Sequence, residues 1–106
     1  MTSLQQITSE FKQSMLRLYG DQLAQVILYG SYARGDYNAE SDVDLAVVLH
    51  IERVERWREV ERIAPVVVDL SVKYNCLISP IVLEASRLNG SQNLFIRHVR
   101  QEGIAL

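Results

Sequence analysis

Apolar residues at Leu4, Ile7, Phe11, Met15 and Leu18, with Leu16 and Tyr19 beside them, recur every three or four positions and predict a helix with one buried stripe. Gly20-Asp21 ends it, because glycine tolerates the positive φ at which helices stop. The run 25–29, Gln-Val-Ile-Leu-Tyr, is apolar and partly β-branched, which predicts a strand that stops at Gly30-Ser31. Residues 31–42 are polar and rich in loop formers, with room for a helical turn or two. Residues 42–49 then predict a second strand, whose distal part is almost wholly apolar, as in a central strand covered on both faces.

Residues 52–74 read two ways. Val54, Trp57, Ile63 or Ala64, Val67, Leu70 and Tyr74 keep helical spacing, whereas Pro65 and the run Val66-Val67-Val68 suit a break or a strand. A helix, kinked at Pro65, is the preferred reading, with Trp57 and Tyr74 as core or interface aromatics. Its charges, from Glu52 to Arg62, are neighbours at three or four residues and make a solvated face. Residues 77–83 predict a third strand, which Pro80 pushes toward an edge or a bulge. After Gly90-Ser91 a last helix is expected over 92–101, closed by Gly103. The order is that of a single α/β domain over residues 1–106, a small mixed β-sheet with helices packed on it.

The 106 residues carry 11 basic and 13 acidic side chains, a net charge of −2, which disfavours a broad basic surface for sequence-independent DNA binding. At 48% apolar residues the chain can build one core without metal or disulfide staples. Its one cysteine, Cys76, cannot form an internal disulfide and reads as a small buried apolar residue. The opening residues 1–10 are polar, and no apolar run approaches the ~20 residues of a membrane span, so a cytoplasmic location with no membrane partner is expected. His50 and His98 have no cysteine at metal spacing, so no zinc site is expected.

The chemistry concentrates in Gly30-Ser31, ten intervening residues, and Asp42-Val43-Asp44. Aspartates at i and i+2 on one strand point to the same face and repel, which calls for a positive group between them. Mg²⁺ suits that place, since it takes hard oxygen ligands and commonly bridges one or two carboxylates to substrate phosphates. Alone, the pair also fits a strand start with one acid reaching solvent. A glycine directly after an apolar strand lets a phosphate or another backbone come close, and Ser31 adds a hydroxyl and free N–H groups. Tyr32 or Tyr37 could stack on a nucleobase or simply pack the loop.

Gly-Ser, ten residues and Asp-x-Asp, with Ala33-Arg34-Gly35 and Ser41 between them, resemble the active-site signature of the polymerase beta-like nucleotidyltransferase superfamily. The resemblance is nearest to its minimal nucleotidyltransferase branch, often encoded beside a HEPN-domain partner, and the ending Glu102-Gly103-Ile104 fits that branch too. It implies the polymerase beta-like fold and transfer of a nucleoside monophosphate, AMP from ATP, to a protein or RNA hydroxyl. Gly30, Ser31, Arg34 and Ser41 would bind the nucleotide, and Asp42 and Asp44 would be the catalytic carboxylates that hold Mg²⁺. Arg34 alternatively pairs with Asp36 or Glu40. A HEPN toxin is the implied partner, with this chain as its antitoxin, and a homo-oligomer is open. Active members carry a third carboxylate on a later strand; here Asp69, Glu84 or no residue fills that role. Without it, a weak or inactive nucleotide-binding module that neutralises its partner by docking is the alternative.

Overall fold

A computed structural model describes residues 3–106, so the first two positions of the polar opening segment lie outside the described residues. Helix α1 (Ser3–Tyr19) buries Ile7, Phe11 and Met15 of the expected stripe, but Leu18 is exposed and Tyr19 is buried in its place; the helix passes through a 3₁₀ turn at Gly20–Gln22. Strand β1 (Leu23–Tyr29) begins two residues earlier than the sequence pattern indicates. A one-turn helix, α2 (Ser31–Arg34), follows Gly30, and strand β2 (Val43–Leu49) starts directly after Asp42. Helix α3 (Arg56–Tyr74) crosses to strand β3 (Ile78–Glu84). Helices α4 (Ala85–Gly90) and α5 (Leu94–Glu102) and a two-residue strand β4 (Ile104–Ala105) complete the chain.

The sheet order is β3-β2-β1-β4. Strand β2 is central as expected, antiparallel to β1 and parallel to β3, with α3 as the crossover that a parallel pair requires. Pro80 lies on the edge strand, where its missing N–H costs least. Alternate residues of β2 serve two cores. Val43, Leu45, Val47 and Leu49 face α1 and α3, while Ala46 and Val48 join Ile27, Leu83, Leu88, Ile96 and Val99 beneath α4 and α5. That double cover explains the nearly continuous apolar run in β2.

Several expectations are corrected. Helix α3 starts at Arg56 rather than near residue 52, and continues through Pro65. Pro65 and Glu61 are both exposed, so water can satisfy the Glu61 carbonyl that Pro65 leaves unbonded. The helix ends on Asn75, whose φ of 50° is the left-handed cap geometry. Trp57 is not a core aromatic; it is 66% exposed. Glu59 does not belong to the solvated face: it is buried, accepts a 2.8 Å hydrogen bond from the Tyr19 hydroxyl and lies 3.7 Å from Arg62. Burial and the Glu59 carboxylate together push the Tyr19 phenol well above its ordinary range. Cys76 is half-buried. The two short elements α4 and β4 carry too few residues to show a period in sequence. β4 is fixed by pairing with Ile27 and Leu28 and by the Lys12 ammonium, which donates to the Leu106 carbonyl at 2.6 Å.

Among the described residues no helix is long and apolar enough to cross a membrane. Leu45, fully buried at the centre of the sheet, should lose ~2–5 kcal/mol of stability on Leu45→Ala, whereas Trp57→Ala should change it by less than ~0.5 kcal/mol; urea unfolding of the two variants measures both.

Candidate functional site

Strand β1 runs out at Tyr29, and the chain turns on Gly30 at φ 77° and ψ −155°. The Gly30 carbonyl then accepts from the N–H groups of Ala33 and Arg34 at 3.1 and 3.0 Å, which closes the single turn of α2. Glycine is required here for two reasons. Positive φ strains any side chain, and a Cβ at this position would collide with the Asp44 carboxylate. Asp44 therefore lies directly against the Gly30 backbone, and the two halves of the sequence signature meet in space.

The sheet register supplies the neighbours. Asp44 pairs with Tyr29 on β1 and with Ser79 on β3, so the three form one row across three strands. The Ser79 hydroxyl donates to Asp42 Oδ2 at 3.4 Å. Burial, then the charge of Asp42, raises the Asp44 carboxyl above its ordinary range, and the Arg34 guanidinium offsets part of that. Tyr29, half-buried and beside Asp44, is pushed up to about 12 by desolvation and by the Asp44 charge, and meets the Phe95 ring edge-on at 5.7 Å.

Arg34 leaves α2 toward both Asp36 (3.2 Å) and Glu102 of α5 (3.4 Å), so its partners include Asp36 but not Glu40. Glu102 also meets His98 Nδ1 at 2.6 Å, and this contact with the Arg34 bond holds its carboxyl below the usual range. Tyr29, Gly30, Arg34, Phe95, His98 and Glu102 line one cleft of about 320 Å³. Ser41 belongs elsewhere. Its hydroxyl accepts from the Asn38 N–H at 2.9 Å, and it borders a separate cavity of about 450 Å³ with Leu4, Ile7, Val43 and Tyr74, on the α1 and α3 side. Tyr32 and Tyr37 stack on each other at 4.3 Å, the loop-packing alternative.

Neither candidate for a third carboxylate reaches the pair. Asp69 is exposed on α3. Glu84 pairs in register with Leu49, five residues along β3 from Ser79, or ~17 Å at strand rise. There it accepts from the Val54 N–H at 2.9 Å, and although burial opposes ionisation, this bond and Arg87 and Arg56 draw its carboxyl below the usual range. The position beside the aspartates is held by Ser79, and among the described residues no group of three or more His, Cys, Asp and Glu could hold a metal ion. Ser79 was discoverable by laying β3 parallel to β2; the α5 residues were not, because nothing local ties them to the Gly30 corner.

The nucleotidyltransferase domain model matches residues 8–89. The chain belongs to that family. It is a minimal nucleotidyltransferase with the polymerase beta-like fold. Over 99 residues it is 36% identical to "Putative protein adenylyltransferase MJ0141" of Methanocaldococcus jannaschii, covering 93% of this chain and 94% of that protein. A similarly named protein of the same organism, MJ0604, is 33% identical over 98 residues, covering 92% and 91%. A third, MJ1305, is 38% identical over 89 residues, covering 81% of this nucleotidyltransferase and 58% of its own length. Among solved structures, a crystal structure of "the toxin-antitoxin with AMP-PNP" shares the fold, with TM-score 0.57, 21% identity and coverage of 91% of this chain and 70% of that one.

Two outcomes test this geometry. Gly30→Ala should destabilise the protein and displace Asp44, read as a lower melting temperature and shifted amide resonances around residues 43–45. The raised Asp44 carboxyl means that ionisation is harder in the folded state than in the unfolded chain, so it costs stability as pH rises through the carboxylate range. Asp44→Asn should therefore melt above wild type at pH 7, and the difference should vanish at low pH, where both side chains are neutral.

Proposed function

We propose that this nucleotidyltransferase moves AMP from ATP to a hydroxyl of a partner protein with the help of Mg²⁺. The observation that carries the reading is the contact of the Asp44 carboxylate with the Gly30 corner, with Asp42 beside it. The donor set fits the ion: two neighbouring carboxylates and a serine hydroxyl, all hard oxygens, with mutual repulsion that Arg34 offsets only in part. Asp42 and Asp44 would hold Mg²⁺, which when bound neutralises the charge on the reacting phosphates. Gly30, whose missing Cβ admits the Asp44 carboxylate, sets the turn from which the Ser31 hydroxyl and N–H groups would orient a phosphate. Arg34 would add positive charge while remaining tethered to Asp36 and Glu102. Catalysis of this kind is positioning and charge stabilisation of an in-line attack at the α-phosphorus.

A protein acceptor is preferred to RNA because the relatives named above are named as acting on protein. Residues 1–50, which hold the site, carry three basic and six acidic side chains, and this also disfavours an RNA partner. A HEPN-type toxin as that acceptor, with this chain as antitoxin, is the partner that the sequence resemblance implies, and the likeness to a toxin-antitoxin fold agrees with it. Ser79 beside the carboxylates, in place of an acid, favours a second reading, in which the domain binds nucleotide but neutralises its partner by docking alone.

Incubation of the protein with α-labelled ATP, Mg²⁺ and the partner separates the two. The first reading expects label on the partner, lost with EDTA and in the Asp42→Asn, Asp44→Asn double variant. Undiminished labelling by that variant would reject the site. Absence of labelling with full neutralisation by both proteins would establish the docking reading.

A further inference from the structure

The sheet is open on the side of the aspartates away from Gly30. In the order β3-β2-β1-β4, strand β3 has a neighbour on one side only. The Leu77 carbonyl accepts from the Val43 N–H at 2.8 Å, so by strand alternation the main-chain groups of Ser79 and Ile81 turn to β2, and those of Ile78, Pro80 and Val82 turn outward. Pro80 is tolerated because its missing N–H falls on that free side. Along the edge runs a groove of about 300 Å³, with Arg56 and Val60 of α3 on one bank and Arg87 of α4 and Phe95 of α5 on the other. Phe95 also walls the Gly30 cleft, so the two hollows adjoin.

The surface around the groove has the chemistry of a protein contact. Trp57, Val60, Val68 and Val72 fall at helical intervals and give α3 a second apolar stripe, which is exposed, and Leu94 is exposed next to Phe95. Arg56 and Arg87 meet near Val82 and Glu84. Glu84, 4.0 Å from Arg87, offsets part of this double positive charge. An extended apolar segment carrying an acidic side chain complements all three: a free strand edge, an apolar bank and a basic end.

Resting on the nucleotidyl-transfer reading, we propose that the groove seats the acceptor protein, an extended segment of which adds to the free edge of β3 and presents its hydroxyl side chain next to Ser79. The direction follows from the site. With the phosphates at the Gly30 and Ser31 corner, after β1, and the carboxylates on β2, an in-line attack at the α-phosphorus comes from the β3 side, opposite the leaving pyrophosphate. An added strand becomes the next member of the row Tyr29, Asp44, Ser79, ~4.8 Å beyond Ser79, and its side chain in that row shares the aspartate face. Its main chain bonds to the outward N–H and C=O of Val82, and a carboxylate roughly three to five residues from the hydroxyl meets Arg56 and Arg87. Main-chain pairing supplies affinity, and the arginines select the partner and its register.

The test adds the acceptor protein of the labelling experiment to the full chain with Mg²⁺ and AMP-PNP. Amide hydrogen exchange at Val82 should slow by about 10-fold or more as the edge is paired. In the labelling assay, Arg56→Glu combined with Arg87→Glu should raise the KM for the acceptor by roughly 10–100-fold, with the KM for ATP and the thermal shift by AMP-PNP unchanged. Labelling by wild type with exchange at Val82 unaltered overturns the docking site and leaves the nucleotide site standing, as does a double variant that labels the acceptor as wild type does. If the protein alone sediments as a dimer that Val60→Glu separates, a second copy occupies the edge and the proposal falls. Failure of wild type to label the acceptor overturns it through the nucleotidyl-transfer reading itself.

Discussion

The site depends on one close approach, that of a carboxylate to a glycine that has no side chain to obstruct it. Antiparallel pairing of β1 with β2 places Tyr29 opposite Asp44, and the next residue turns sharply away at positive φ. The Asp44 oxygens then occupy the volume that a Cβ would fill at position 30. Because the register also sets Ser79 on the other side of Asp44, a shift of one residue would turn the aspartates onto the α1 and α3 core and dismantle the row. The two cores enforce that register, since each β2 side chain has an assigned face.

The arrangement has an energetic cost that the fold carries elsewhere. Asp44 is partly desolvated beside a like charge, which disfavours its ionised form and would be relieved by a cation. Opposing this local cost are a central strand buried at every position but Asp44 and polar ties that bind distant elements. Tyr19 and Glu59 link α1 to α3, Glu84 holds the Val54 N–H, and Lys12 clasps the Leu106 carbonyl. Functional sites commonly hold such destabilised groups, because the same repulsion that weakens folding creates a place for the ligand.

The main elements and the aspartate pair were legible because each depends on short-range spacing: three-and-four recurrence in α1, continuous apolarity in β2, and a two-residue interval between Asp42 and Asp44. Local pattern was misleading at Glu59, where a charge that looks solvated turns inward to meet Tyr19, and at Trp57, where an aromatic at helical spacing faces outward. It was silent on α4 and β4, which are too short to show a period. Ser41 stands inside the sequence signature, yet its hydroxyl is occupied by Asn38.

The amino-acid order by itself determined the strand, corner and carboxylate pattern, since these rest on backbone periodicity and on what glycine and aspartate can do at fixed separations. Only the tertiary structure decided that Ser79 stands beside the aspartates, that Glu84 and Asp69 lie apart from them, and that His98 and Glu102 share a cleft with Gly30. Those relations arise from a parallel crossover and from helix packing across the sheet, contacts between residues dozens of positions apart that no local spacing encodes.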